Sequence, residues 1–597
     1  MMESGLDLNE GNTASLSGDL PPHVTSRRVL LEMTVVCLVG CVGFLLNCNF
    51  ADLDLFGKMA VGALWEANNG QFPQIDPFNY VAPGVPWVDH EWGSGMIFYF
   101  LLTRFGSPAI FGLKAFLVLS IIALAMTIYF QYSRKSLAEK YWHMSDYWMV
   151  LWLPLIVFTV IPYAGYTMRC HLWSFFFLSL FILILEQVQT SGKFRWLWLL
   201  PCLSFFWVNL HGGFILGWGT FFLYSLDALW RAFKSKKPLS PVFQQYALPF
   251  ALCLSTFLMT PYGVDFVIKM LPSWTMPRPF ITEWQGVWMQ KHDYIKQVFF
   301  PILFIFWAPA AAITLWNWLR GQQKDVLPIQ AGLMLLGGVK GLMAIKVFPL
   351  FLVTSLMYGT VQYSCGFWDT LQGWAKKVPQ VLRHAWPRAW VFACGLFSVT
   401  LMFWTFQKGE AILPWVVKLE GLPEKNSMEE KKYLDKTSPS HKKFRYPVGL
   451  SQFIETHHLR GNLWGPFAWG QYFMWRYYPN ILIATDGRYE AVYPHHVSED
   501  TFRFYSEPYR VEVLREQYKN TDYIVVWNID PKLNDKIVTV LHWPKLYQDG
   551  IATLYENPNI PLGKRKSAQA IFPAFVNPTI TLDDVIGDLS RFRLAKP

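Results

Sequence analysis

The chain has 597 residues, of which 53% are hydrophobic, 17% aromatic and only 16% charged, a balance that excludes an ordinary soluble domain and points to an integral membrane protein. The net charge of +10 does not form a nucleic-acid footprint, because the basic residues recur in alternate short loops between apolar runs. The eight cysteines all lie at or before residue 394, so the region beyond carries no disulfide framework, and the chain has no zinc-type spacing.

Residues 1–28 read as a polar, disordered cytoplasmic tail. Crossing about 30 Å of hydrocarbon takes about 20 apolar residues, and such runs recur at 29–47, 108–131, 146–166, 171–187, 195–209, 213–231, 245–261, 297–318, 326–343, 346–363 and 389–406. The first is preceded by Arg27 and Arg28 but followed by no small-residue cleavage site, which marks it as an uncleaved anchor. The expected fold is an α-helical polytopic membrane protein of roughly eleven spans with a small C-terminal α/β domain. Basic clusters such as Arg134–Lys135, Lys193–Arg195, Lys234–Lys237 and Lys376–Lys377 place those loops and the amino terminus in the cytoplasm. An odd number of spans then exports the C-terminal domain.

The transmembrane domain is expected over 29–407, with long outer loops at 48–95 and 262–296, and the extracytoplasmic domain over 408–597. Within the latter, "NILIAT", "DYIVVWNI" at 522–529 and "IATLYEN" at 551–557 read as strands, and 508–520 as a helix. The "TDGR" turn after the first of these holds Asp486 and Arg488, either an acceptor contact together with His495 and His496 or a structural pair at a strand end.

Polar groups gather where the hydrophobic runs meet the outer face, and ionisable groups at that depth commonly line a cavity or pathway. Asp52 and Asp54 follow the first span; on an extended segment both carboxylates point one way and suit a hard divalent cation, Mg or Mn, or a base, whereas on a helix they diverge. Residues 55–67 have the spacing of an amphipathic helix lying on the bilayer surface. "DPFNYVAPGVPWVDHEW" supplies Asp76, Trp87, Asp89, His90, Glu91 and Trp92. "NLHGG" supplies Asn209 and His211, "TPYGVDF" Tyr262 and Asp265, and "FITEW" Glu283. Lys340 and Lys346, near the outer ends of two spans, would meet a lipid phosphate.

With these residues in view the chain resembles the GT-C superfamily of membrane glycosyltransferases, which includes the protein O-mannosyltransferases and the lipid A aminoarabinose transferases. The resemblance rests on D-x-D at Asp52 and Asp54, on Asp76, Pro77, Phe78, Tyr80, Gly84, Trp87, His90, Glu91 and Trp92, and on the "NLHGG", "TPYG", "EW" and "FAWGQYFMW…ATDGR" elements. It implies a polyprenyl-phosphate sugar donor entering from the membrane, an acceptor (glycan, lipid or protein) reaching it from outside, and an acidic residue of the first outer loop as base or metal contact. Asp54, Asp52 and Asp76 are the candidates for that residue. Arg169, Lys340 and Lys346 are candidates for the phosphate, and His90, Glu91, Asn209, His211, Tyr262 and Glu283 for sugar hydroxyls or the metal site. Trp87 and Trp92 would stack on the sugar or anchor at the interface. A single displacement predicts inversion at the anomeric carbon, and the resemblance favours a bacterial inner membrane. Two rivals are a transporter or flippase, which requires polar groups through the membrane depth or two related halves, and an inactive GT-C-like scaffold within a larger complex.

Overall fold

The computed structural model describes residues 22–47, 53–136, 139–164, 168–275, 278, 281–289, 307–319, 328–343, 358, 380–407, 446–489, 492–528 and 530–565. Apolar runs become helices: α1 (Pro22–Asn47), α2 (Leu53–Ala67), α3 (Trp92–Phe105), α4 (Ser107–Ser136), α5 (Glu139–Ala164), α6 (His171–Ser191), α7 (Leu199–Leu210), α8 (Phe214–Lys234), α9 (Leu239–Ser255), α10 (Val264–Thr275), α11 (Ala308–Leu319), α12 (Pro328–Met343) and α13 (Gln380–Gln407). Among the described residues four stretches, Thr25–Leu46, Pro108–Arg134, His171–Ser191 and Ala385–Phe403, are long and apolar enough to cross a bilayer. The chain is an integral membrane protein. Of the expected span at 297–318 only 307–318 is described, and of that at 346–363 only Tyr358, while α1 starts at Pro22, before the Arg27–Arg28 pair.

Two helices depart from the sequence reading. Residues 92–105, absent from the predicted spans, form α3. Gly106, at φ 75, ends it by donating its N–H to Leu102 O, a left-handed turn that lets the chain swing straight into α4. Helix α2 forms where an amphipathic helix was expected but does not lie on a bilayer surface, for Leu55, Phe56, Met59, Ala63 and Leu64 are all buried. It is enclosed because α3 and the C-terminal domain pack on it: Gly62 lets Tyr99 of α3 approach, and Phe56 meets the rings of Tyr446 and Tyr472 edge-on at 5.0 and 5.3 Å.

Sequence reading also passed over a polar cluster inside the bundle. Glu186 of α6 is fully buried, and its Oε1 accepts from Tyr224 of α8 (2.6 Å), Gln330 of α12 (2.6 Å) and Tyr358 (3.2 Å). One carboxylate thus ties three helices where no water can substitute. Glu186→Ala, which strands these buried donors, is expected to destabilise the protein by about 3 kcal/mol, and Glu186→Gln by much less. Thermal unfolding in lipid nanodiscs distinguishes the two, and equal melting temperatures for Ala and wild type would refute the tie.

The C-terminal domain is a five-stranded sheet in the order β2-β1-β3-β5-β4, from β1 (Gly461–Trp464), β2 (Ile481–Ile483), β3 (Tyr523–Trp527), β4 (Lys545–Gln548) and β5 (Ala552–Glu556). Strand β1 runs parallel to β2 and β3, and β5 antiparallel to β3 and β4. The three strands expected from sequence are β2, β3 and β5; β1 and β4 were not foreseen, and of the helix expected at 508–520 only Val513–Glu516 is helical. A segment of the first loop extends the sheet past β2: Ile483 donates its N–H to Phe78 O (2.9 Å), and Tyr80 donates to Ile483 O (3.3 Å). The domain is therefore stitched to the membrane half by backbone hydrogen bonds.

Asp522, at the foot of β3, is buried and accepts from Asn462 N (2.7 Å), with Arg565 Nε 3.6 Å away. Burial pushes its carboxyl up to about 6, against the opposing pull of the Asn462 N–H and Arg565. A raised carboxyl favours the protonated folded form, so this contribution is present below the ordinary value near 4 and is lost as pH climbs through about 6. Asp522→Asn should therefore raise unfolding stability by roughly 1–2 kcal/mol at pH 8 and have little effect at pH 4. Denaturant melts at the two pH values test this, and a variant no more stable at pH 8 would refute it.

Candidate active site at the junction of the helical bundle and the α/β domain

Asp54 falls in the first turn of α2, where the helix dipole favours a carboxylate. Its Oδ2 accepts from Arg169 Nε at 2.9 Å and from Arg169 Nη2, while Arg169 Nη1 donates to Glu283 Oε1 at 2.5 Å. Arg169 stands just before α6, its carbonyl accepting from Leu172 N, so the amino-terminal ends of α2 and α6 meet at this guanidinium. Asp54, Arg169 and Glu283 are 31%, 22% and 34% exposed, an ion-pair chain open to a ligand. Asp52 lies outside the described residues, as does Lys346. Because Asp54 is helical, the extended D-x-D geometry does not extend through it.

Beside this triplet is a second polar group. Lys58, one turn along α2 from Asp54, places its Nζ 2.9 Å from Asp89 Oδ1 and 3.0 Å from Glu91 Oε2. Burial works against its charge, but the two carboxylates outweigh burial and hold Lys58 above the ordinary lysine range. Glu91 Oε1 lies 3.4 Å from His211 Nε2 and 3.8 Å from His90 Nε2. His211 Nδ1 accepts the Gly213 N–H (3.1 Å) and lies 2.6 Å from Ser174 Oγ, which itself accepts from Trp207 Nε1 (2.8 Å). His211 thus turns its Nε2 edge toward Glu91. Asn209 accepts from Trp92 Nε1 at 3.0 Å, and a Cβ at Gly93 would come within 2.6 Å of Asn209 O. The "HEWG" and "NLHGG" segments can touch only because that glycine has no side chain. Tyr262 is buried with its ring beside Phe72. Lys340 is exposed in the last turn of α12. The neighbouring Leu342 carbonyl packs against Gly286, on the segment that carries Glu283.

Asp76 and Trp87 occupy other places. Asp76 is fully buried and accepts from Arg488 Nη1 (2.5 Å) and Nη2 (3.1 Å), and from Asn79 Nδ2 (2.5 Å). Arg488 also reaches Asp486 from Nε (2.9 Å) and Nη2 (2.7 Å). Trp87 is 1% exposed, and the Arg488 guanidinium sits over its ring at 4.8 Å. Both side chains are buried and clamp the first loop to the "TDGR" turn. Burial opposes the Arg488 charge, and Asp486 and Asp76 override it and hold the guanidinium well above its ordinary range. His495 and His496 are exposed at the start of a separate helix (His495–Phe504).

The clamp delivers a residue that sequence reasoning missed. A Cβ on Gly487 would lie 3.3 Å from Asp54 Oδ1 and 3.0 Å from Gln471 Nε2, and one on Gly57 would press on the Gln471 side chain. Gln471 is buried. The C-terminal domain thus closes over the base of α2 with Gln471 and the Gly487 backbone. The glycine of "TDGR" and the "GQ" of "WGQYF" were visible as motif letters, but nothing in their spacing pointed to Asp54. Among the described residues no three His, Cys, Asp or Glu side chains are grouped to hold a metal ion.

Fold and site together describe a polytopic membrane protein in which Asp54, Lys58, Arg169 and Glu283 meet where the α/β domain packs on α2. No protein-family model and no curated protein sequence matches the chain. Among solved structures it is similar to the oligosaccharyltransferase of Archaeoglobus fulgidus in the apo form (11% identity, 89% of this chain and 75% of that one, TM-score 0.45). It is also similar to the archaeal oligosaccharyltransferase AglB of that organism in complex with an inhibitory peptide and a dolichol-phosphate (13%, 90% and 75%, TM-score 0.44). A third similar structure is ArnT, the aminoarabinose transferase of Cupriavidus metallidurans, bound to undecaprenyl phosphate (11%, 89% and 98%, TM-score 0.45). These neighbours are members of the GT-C superfamily that the sequence motifs resemble.

Proposed function

We propose that the protein is an inverting membrane glycosyltransferase that moves a sugar from a polyprenyl-phosphate donor to an acceptor at the outer face of a bacterial inner membrane, with the amino terminus cytoplasmic and the α/β domain periplasmic. The observation that carries this reading is the meeting of Asp54, Arg169 and Glu283, from three distant segments, in one partly open ion-pair chain. A glycosyl phosphate needs a base for the incoming hydroxyl and fixed positive charge for the departing phosphate, and this site supplies both. Asp54 takes the proton of the acceptor hydroxyl as its oxygen attacks the anomeric carbon. Arg169, whose planar fork matches phosphate oxygens, receives the leaving group at the positive ends of α2 and α6. Lys340 is a second cation for that phosphate. Glu91, oriented by Lys58 and His211, would accept hydrogen bonds from sugar hydroxyls together with His90, and Trp92, Asn209 and Tyr262 shape that side. Asp76 acts through Arg488, as a positioning residue.

A divalent cation does not fit the donor set formed by the described residues, since Asp54 and Glu283 are bridged by a guanidinium. The reading is tested by incubating full-length protein in lipid with a panel of radiolabelled polyprenyl-phosphate sugars and candidate glycan, lipid and protein acceptors. Label transferred with inverted anomeric configuration is expected. Absence of transfer from every donor would leave the inactive scaffold as the better account.

A further inference from the structure

In the state described, the groups assigned to base and to phosphate binding occupy each other. Asp54 Oδ2 accepts two N–H donors from Arg169, while Oδ1 is turned to the Gly487 backbone. Arg169 spends its remaining arm on Glu283. The contrast with Arg488 is instructive, for that guanidinium also bridges two carboxylates, yet it and its partners are at most 4% exposed. The Arg169 bridge is 22–34% exposed, and at such a site water or a ligand can replace a partner without stranding a buried charge.

Resting on the glycosyltransferase reading, we propose that Arg169 is a phosphate-gated latch: the phosphate of the incoming lipid donor draws Arg169 away from Asp54, so that the carboxylate is released to act as base only once the donor is in place. Both carboxylates already hold the guanidinium that an incoming phosphate would take, and each carries the same sign of charge as that phosphate. Asp54 and Glu283 therefore compete with the ligand for Arg169, by occupancy and by repulsion. Once the latch has moved, the acceptor O–H gives its proton to Asp54, its oxygen bonds to the anomeric carbon, and the C–O bond to phosphate breaks with its electron pair. The resulting polyprenyl phosphate stays paired with Arg169. Asp54, partly exposed, then gives its proton to water, and dissociation of the product returns Arg169 to the carboxylate and closes the cycle.

The test is binding, not turnover: affinity for undecaprenyl phosphate, measured on full-length protein in nanodiscs by intrinsic tryptophan fluorescence. Asp54→Asn and Glu283→Gln should each bind the lipid about tenfold more tightly than wild type, because each removes a competitor for the guanidinium. Arg169→Gln should bind at least about tenfold more weakly, and Arg169→Lys, a point charge without the fork, should fall between. Affinity unchanged or weakened in Asp54→Asn overturns the latch, as does unchanged affinity in Arg169→Gln. If Arg169→Gln does not fold, the two carboxylate variants decide alone. Inorganic phosphate is run beside the lipid. Parallel shifts assign recognition to the phosphate group alone, shifts for the lipid only assign it to membrane-borne phosphate, and shifts for neither refute the latch. A protein that shows these shifts but transfers no sugar keeps the latch and loses the glycosyltransferase reading, whereas sugar transfer with unshifted Asp54→Asn affinity does the reverse.

Discussion

Asp54→Asn, in full-length protein in lipid, should lower sugar transfer by about 10³-fold while leaving thermal unfolding unchanged. The magnitude is that of losing a positioned general base, about 10²–10⁴-fold, at a residue that does no other chemistry. Stability should survive because Asp54 is 31% exposed and asparagine fills the same space, so no buried charge is left alone. Asp265→Asn is the control: this carboxylate lies exposed in the first turn of α10, outside the Asp54 cluster, and its loss should leave transfer intact. Substantial transfer retained by Asp54→Asn would remove Asp54 as the base and leave Glu283, on the other arm of Arg169, as the next carboxylate to test.

Arg488→Met is expected to have the opposite signature, a large loss of stability of about 3–5 kcal/mol. The substitution removes the charge partner that two fully buried carboxylates, Asp76 and Asp486, share, and withdraws the cation from over Trp87 and Phe78. Because Asp76 belongs to the first loop and Asp486 to the α/β domain, the damage should appear as undocking. Limited proteolysis should cut between the two parts of the variant at a temperature where wild type is resistant. Asp76→Asn, which keeps the shape but halves the negative charge around Arg488, should show a milder form of both effects. An Arg488→Met protein that melts and resists protease like wild type would mean that the backbone pairing of Phe78 and Tyr80 with Ile483 holds the domains unaided.

The contrast between these two arginines marks how far the sequence could be read. Arg488 stands two residues from Asp486 in the "TDGR" turn, whereas Arg169 belongs to no motif, and the two were named as structural partner and site candidate from residue type alone. Which one is sealed and which is open depends on what is packed over it. Trp87 and Asp76 were expected to line a cavity because their loop is rich in charge and aromatics. They are instead covered because residues 78–80 pair with Ile483 through a single β-bridge at the edge of the sheet, a contact made with residues some four hundred positions away. Likewise the apolar spacing of α2 correctly predicted a helix, but not its burial, since period says which residues share a face and nothing of what covers the opposite one.

By itself, the sequence determined the membrane character, the positions of most helices, three of the five strands and the chemical types gathered at the site. Those properties follow from local hydrophobic runs, alternation and short motifs, each legible within a window of about 20 residues. Tertiary structure alone decided that Asp54 meets Arg169 and Glu283, that Gln471 and Gly487 close over them, and that Glu186 ties three helices inside the bundle. These depend on distant segments brought within hydrogen-bond range, where the cost of burying a charge is settled by its partners rather than by its neighbours in the chain.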